Sequence, residues 1–293
     1  MSAASALIRS LRPQQWVKNV FVAVPLVFAR HLTDAEYLVR AALAVLAFCM
    51  LSGAVYLFND VRDVESDRVH PTKRRRPIAA GQLAERTALI WSGILATVAL
   101  AGCLALSSAC GIYAACYLAQ NVAYSVKLKQ VAFLDVALIA AGFLLRVLAG
   151  AAAISVPASR WLLLCTALLA TFLGLGKRAH ELAWAHRTGE ARTTRAALAG
   201  YRIPVVRTAM LALGVATCVA YVGYTQAAHT VRVFHTDRLM FSSPFVALGI
   251  VRYLMLALWY PKDDPPTEAM LRDPWFLVDL AAAAATVLYI IYG

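Results

Sequence analysis

A succession of apolar runs, each close to the length that crosses a lipid bilayer, constrains this chain more than any other feature. With about 20 residues as one span, runs are read at roughly 15–31, 37–58, 86–106, 109–126, 131–154, 159–176, 204–227, 240–260 and 274–292. The first is short and is interrupted by Lys18 and Pro25. Inside a bilayer every backbone polar group must bond within its own segment, so such runs fold as helices. The expected architecture is all-α, a polytopic bundle of about nine transmembrane helices forming a single integral-membrane domain over 1–293. Composition agrees: 61% of the residues are hydrophobic and the mean hydropathy is +0.66, with no polar stretch long enough for a separate soluble domain.

The formal net charge of +12 is spread over loops and not along one continuous stripe. That pattern sets membrane orientation and favours small anionic ligands, with no nucleic acid as partner. The loop after the second run carries Arg62, Arg68, Lys73, Arg74, Arg75, Arg76 and Arg86, and the one after the sixth carries Lys177, Arg178, Arg187, Arg192, Arg195 and Arg202. Lys127 and Lys129 follow the fourth run, and Lys262 and Arg272 the eighth, whereas the alternate connections are poor in Lys and Arg. The positive-inside rule then puts the N-terminus and the basic loops on the cytoplasmic side of the cell membrane. No cleavage site follows Arg9 and Arg12, so the first run reads as a membrane helix, not a signal peptide. The six cysteines lie in apolar stretches without CxxC spacing and read as packing residues.

Chemistry is concentrated in Asn59 to Pro77, NDVRDVESDRVHPTKRRRP. On a helix of about 100° per residue, Tyr56, Asn59, Asp60, Asp63 and Asp67 fall within an arc of roughly 100°. Glu65 and Arg68 point away from it. Beyond Pro71 the sign reverses to Lys73, Arg74, Arg75 and Arg76, ahead of Pro77, as a helix break followed by a basic loop. Carboxylates are the hard oxygen donors that Mg²⁺ takes, one or two at a time, alongside phosphate oxygens. Spacing leaves two readings open: such a site, or a solvated helix end whose acids pair with Arg62, Arg68 and the basic run.

Two further groups stand near the ends of apolar runs. Lys177, Arg178 and Glu181 follow the sixth, where a Lys/Glu pair four apart can face one cavity mouth, or the cations can simply snorkel. His180 and His186 lack a second ligand at chelating spacing and read as polar loop residues. Tyr124, Lys127 and Lys129 follow the fourth run, and Asp135 and Arg146 lie in the fifth. A charge as deep in an apolar run as Arg146 is costly unless it faces a partner or polar cavity, so an anion or Asp135 is its expected neighbour. Arg252 poses the same question in the eighth run. The glycines of the spans read as positions of close helix approach.

The stretch YLFNDVRDVESDRVHPTKRRRPIAAG from Tyr56, with RPQQWVKN at 12–19 and GKRxxEL at 176–182, resembles the UbiA superfamily of intramembrane prenyltransferases. The resemblance runs from Arg12 to about Arg252. It implies a helical bundle around a central cavity, open to the cytoplasm for a soluble substrate and to lipid for a polyprenyl chain. Most members bind a prenyl diphosphate through Mg²⁺ and two Asp-rich motifs. Here the second motif is replaced by Lys177, Arg178 and Glu181, with a single acid.

The chain is similar to the branch that transfers a 5-phosphoribosyl group from phosphoribosyl pyrophosphate (PRPP) to a polyprenyl, decaprenyl-like phosphate. On that resemblance Asn59, Asp60, Asp63 and Asp67 hold Mg²⁺ and diphosphate. Tyr56, Lys73, Arg74, Arg76, Tyr124, Lys177, Arg178 and Glu181 bind substrate, while Lys129 and Arg146 position the acceptor. The product would supply a sugar donor for cell-envelope glycans. Transfer of a polyprenyl group to an aromatic acceptor is the alternative enzyme reading, and a secondary transporter the non-enzymatic one. Homo-oligomer formation stays open.

Overall fold

The computed structural model describes residues 3–70, 72–188, 196–259 and 265–293. Pro71, Arg192, Arg195 and Lys262, used above for the helix break and the loop charges, lie outside the described residues, as do the side chains of His186 and Arg187. Among the described residues the chain is helical throughout, with no strand. Among the described residues, seven helices are long and apolar enough to cross a membrane.

Packing groups the chain into two compact units, residues 1–128 with 142–158, and 129–141 with 159–293. The first unit contains α1 (Ala3–Ser10), α2 (Val20–Phe28), α3 (Ala35–Arg62), α4 (Val64–Val69), α5 (Glu85–Leu106) and α6 (Ser108–Val126). Helix α7 (Leu134–Ala153) gives its first residues to the second unit and the rest to the first. The second unit adds α8 (Arg160–Thr188), α9 (Ile203–Gln226), α10 (Ala228–Phe234), α11 (Ser243–Leu254), α12 (Pro266–Met270) and α13 (Pro274–Tyr292).

Two of the nine anticipated spans differ. The run at 15–31 is a 3-10 segment, Pro13–Asn19, followed by the nine-residue α2, which contains Pro25. Helix α6 is long enough, but Tyr113, Tyr117, Gln120, Asn121 and Tyr124 lower its hydropathy below that of the seven.

Helix α3 is the buried centre of the first unit. Ala44, Ala47, Phe48 and Leu51 recur at helical spacing and pack with Ala99, Cys103, Cys110, Ala114, Tyr117 and Ala149. Small residues allow this closeness: a Cβ at Gly150 would run into the backbone carbonyl of Val22. In the second unit Phe172, Leu175, Val206, Met210, Ile250 and Tyr253 form the corresponding core. There Gly176 makes room for the Tyr253 ring, whose hydroxyl donates to the Leu173 carbonyl at 2.9 Å.

Candidate functional site

Helix α3 ends at Arg62, and Asp63 (φ −96°, ψ 4°) leaves the regular helical conformation before α4 begins. The amide of Asp67 still bonds to the Asp63 carbonyl at 2.8 Å, so the chain bends without losing the ladder. This break alters the single-arc geometry anticipated from the sequence. Asp60 and Asp67 are buried, each 2% exposed, whereas Asp63 is half-buried and accepts from Asn59 Nδ2 at 3.2 Å.

The two buried carboxylates converge on one nitrogen. Arg76 Nη1 donates to Asp67 Oδ2 at 2.6 Å and to Asp60 Oδ1 at 3.1 Å. The local sequence explains how Arg76 gets there. It follows the short 3-10 turn Lys73–Arg75 and precedes Pro77, a position that disfavours helix; its backbone is extended (φ −64°, ψ 140°). Lys73, Arg74 and Arg75 remain exposed. Burial pushes the Asp67 carboxyl above its usual range, and the neighbouring Arg76 opposes that shift. Arg68 pairs instead with Glu65 and Glu85, away from the buried acids.

A second guanidinium completes the cluster. Arg12 Nη2 bonds to Asp60 Oδ1, and its Cζ stands 4.9 Å from the centroid of the Tyr56 ring. Arg12 has left-handed backbone angles (φ 53°, ψ 62°) and is followed by Pro13, which disfavours the right-handed helical region for the residue before it. A non-glycine residue held there stores about 1–3 kcal/mol of strain that the surroundings must offset. Sequence reasoning placed Arg12 in a motif but not in the site. Forty-eight residues separate it from Asp60, and no periodicity links the two.

Arg146 is 6% exposed and fully engaged, yet all its partners are neutral. Its Nε donates to Asn19 Oδ1 at 2.9 Å, Nη1 to the Gly142 carbonyl at 3.0 Å and Nη2 to the Tyr117 hydroxyl at 2.8 Å. Its Cζ also lies over the Tyr117 and Phe143 rings. Among the described residues it meets no acid, which corrects the expectation of Asp135 as its neighbour. Asn19, the last residue of RPQQWVKN, is wholly buried and also donates to Ser52 at 3.1 Å. Tyr56 lies within electrostatic reach of Arg146, Tyr117, Arg12 and Asp60, so the buried cation and the acid cluster flank one side chain. Tyr124 is half-buried near the end of α6.

In the second unit, Arg178 is wholly buried, not presented to solvent. Its Nε lies 2.9 Å from Asp135 Oδ2 without directing an N–H at it, a charge contact more than a hydrogen bond, and Nη1 bonds to Glu181. Asp135 also accepts from the Tyr201 hydroxyl at 2.5 Å, and that hydroxyl accepts from the Phe133 amide at 2.8 Å. Burial, and then the bond to Asp135, push the Tyr201 phenol above its usual value. Arg178 thus pairs from full burial with Glu181, which is 27% exposed. Lys177 and Lys129 are half-buried. Arg252 is accounted for structurally, since it grips Asp273 through two bonds at 2.6 and 3.0 Å while Asp273 caps α13. A cavity of about 60 Å³ lined by Ala179, Ile203, Arg207 and Leu258 lies elsewhere in this unit and is too small for a ligand of substrate size, for which pockets run to about 300 Å³ or more.

No three His, Cys, Asp or Glu side chains gather in metal-holding geometry among the described residues. The donor set nevertheless fits Mg²⁺: two buried carboxylates already aim at one cationic point, and hard oxygens with room for phosphate are its usual surroundings.

Fold and site together define a class: a polytopic helical membrane protein in which the end of α3 and the short helix after it each carry a buried carboxylate paired with arginine. The chain belongs to the UbiA prenyltransferase family, whose model matches residues 20–280. It is 33% identical to the decaprenyl-phosphate phosphoribosyltransferase of Mycobacterium tuberculosis over 97% of this chain and 93% of that protein. It is 42% identical to the enzyme of the same name from Mycolicibacterium smegmatis over 63% of this chain and 59% of that one. In structure it is similar to a UbiA homolog from Archaeoglobus fulgidus, solved bound to GPP and Mg²⁺, with a TM-score of 0.72, 16% identity and coverage of 98% of this chain and 100% of that one. That likeness establishes the fold.

Proposed function

We propose that this chain transfers a 5-phosphoribosyl group from PRPP to a polyprenyl phosphate, releasing diphosphate, at the cytoplasmic face of the cell membrane. The observation that carries the reading is the convergence of buried Asp60 and Asp67 on a single guanidinium nitrogen. The two phosphoribosyltransferase relatives support the group transferred and the acceptor. Asp60 and Asp67, with Asn59 and Asp63 beside them, would hold Mg²⁺, which when bound supplies Lewis-acid stabilisation of the departing diphosphate.

The chain's own side chains do the rest. Arg76, with Lys73 and Arg74 on the adjoining turn, offers forked and point-charge contacts to phosphate oxygens, and Tyr56 lines the same place. Lys177 and Glu181 are proposed to meet the donor's remaining phosphate and ribose hydroxyls, with Arg178 fixing Glu181. Arg146, whose partners are neutral, keeps a charge for the acceptor's phosphate, with Tyr124 and Lys129 as further acceptor contacts. A phosphate oxygen of the acceptor attacks the anomeric carbon as the bond from that carbon to the diphosphate breaks, the electron pair leaving with diphosphate. The attacking oxygen is ionised near neutral pH, so no general base is required. The product suits supply of a sugar donor for cell-envelope glycans.

The family's description favours prenyl transfer as the second reading, which we take as transfer from a prenyl diphosphate to an aromatic acceptor. Purified protein in detergent, given Mg²⁺, ribose-labelled PRPP and a polyprenyl phosphate, should move label into an organic extract. Label confined to the aqueous phase with folded protein would reject the proposal. Extraction of label only when a prenyl diphosphate and an aromatic acceptor are supplied would favour the second reading.

A further inference from the structure

Arg12 and Arg76 hold the acid cluster at charge balance. Asp60 and Asp67 contribute two negative charges, and the two guanidinium groups bonded to them contribute two positive ones. Both acids are nearly inaccessible to water, and each Arg side chain is only about a quarter exposed, so screening at this point is weak. A divalent cation joining this set on its own adds two positive charges beside two guanidinium groups that cannot deprotonate. A diphosphate joining on its own meets two ionised carboxylates. Only the two together keep the charge near balance: the carboxylates turn to the metal, and the guanidinium groups released from them turn to the diphosphate oxygens.

We infer that Arg12 and Arg76 are exchangeable counterions, so the site takes up divalent metal and diphosphate as a pair and disfavours either alone. The inference rests on the donor-site reading above and adds Arg12 to it as a diphosphate contact. Its geometry suits exchange. Arg12 is pinned by its left-handed backbone and by the Tyr56 ring, so the guanidinium can pass from carboxylate to phosphate without the chain moving away. Arg76, itself extended between the 3-10 turn and Pro77, bonds both acids through one nitrogen, leaving other donors for a second partner.

The test reads binding and not turnover. Mn²⁺ is titrated into the detergent-solubilised full chain by electron paramagnetic resonance, with and without inorganic diphosphate, after correction for the Mn²⁺–diphosphate complex in solution. The wild-type chain should bind Mn²⁺ on the order of 100-fold more tightly with diphosphate than without, at the strong end of ordinary coupling. Arg12→Gln should bind Mn²⁺ alone about tenfold more tightly, well under the unscreened effect of one unit charge at contact. The same variant should bind diphosphate in the presence of Mn²⁺ more weakly, so the two changes have opposite signs. Arg12→Lys, which keeps the charge, should stay near wild type in the first titration. A purely structural Arg12 would weaken both titrations in Arg12→Gln, and that result overturns the inference. So does a wild-type chain that binds Mn²⁺ equally well with and without diphosphate. If paired uptake holds while PRPP is never used, the inference stands and the assigned donor fails.

Discussion

Asp135→Asn isolates the buried charge chain of the second unit with almost no change in shape. Asp135 is wholly inaccessible and serves two partners, Arg178 Nε at 2.9 Å and the Tyr201 hydroxyl at 2.5 Å. An asparagine keeps an acceptor for Tyr201 but points an N–H₂ toward the Arg178 donor. Among the described residues, Glu181 is then the acid still bonded to the wholly buried Arg178. Removing one partner of a buried pair costs about 3–5 kcal/mol. Because Glu181 still holds the other side of the guanidinium, the lower end, about 3 kcal/mol, is the expected loss. That is a large share of the roughly 5–15 kcal/mol available to a folded domain. Denaturation in mixed micelles, followed by far-UV circular dichroism, measures it. Asp135→Asn with Arg178→Met should recover most of the loss, since the second change removes the buried charge that the first left short of a partner. A single variant within about 0.5 kcal/mol of wild type, inside the range of ordinary surface changes, would refute the assignment. So would a double variant destabilised by the sum of the singles.

Asp60→Asn should lower Mg²⁺-dependent transfer by at least about 100-fold, the scale seen when an electrostatic transition-state contact is lost. Asp63→Asn, outside the converging pair, should cost distinctly less, and equal losses in a kcat comparison would contradict the geometry at the end of α3. Arg252→Leu should destabilise by about 2 kcal/mol, in keeping with a charged hydrogen-bonded contact, with kcat unchanged below the unfolding range. A melting temperature equal to that of the wild-type chain would show that the Asp273 grip contributes nothing. Gly150→Ala should cost about 1–3 kcal/mol or prevent folding, through overpacking against the Val22 carbonyl, read as loss of a monodisperse peak in size-exclusion chromatography.

Legibility in the sequence tracked the range of the interactions. Helical class and membrane setting were plain because apolar length is a local property. The chemistry-bearing stretch was plain because Tyr56 to Arg76 lie within a few turns of one another. Periodicity holds as far as Asp63, which bonds Asn59 one turn before it, and is interrupted there, ahead of the turn that carries Asp67. The first apolar run failed as a span because Pro13 and Pro25 allow only a 3-10 turn and a short helix. Pairings across long separations, Arg12 with Asp60, Asn19 with Arg146 and Asp135 with Arg178 and Tyr201, leave no periodic trace. They are fixed by the packing of helices distant in sequence. Arg146 and Asp135 share a helix, and their separate partners could be read only from the folded chain.

The central claim is that the diphosphate lost from a pentosyl donor departs from the Asp60 and Asp67 cluster. Its most direct test follows diphosphate release and lipid labelling together, with ribose-labelled PRPP, a polyprenyl phosphate and Mg²⁺, for the wild-type chain and Asp60→Asn. The expected result is one diphosphate released for each phosphoribosyl group entering the lipid, both abolished in the variant and both lost on chelation of the metal. Full transfer by folded Asp60→Asn, or diphosphate release with no lipid product from the wild-type chain, would contradict it.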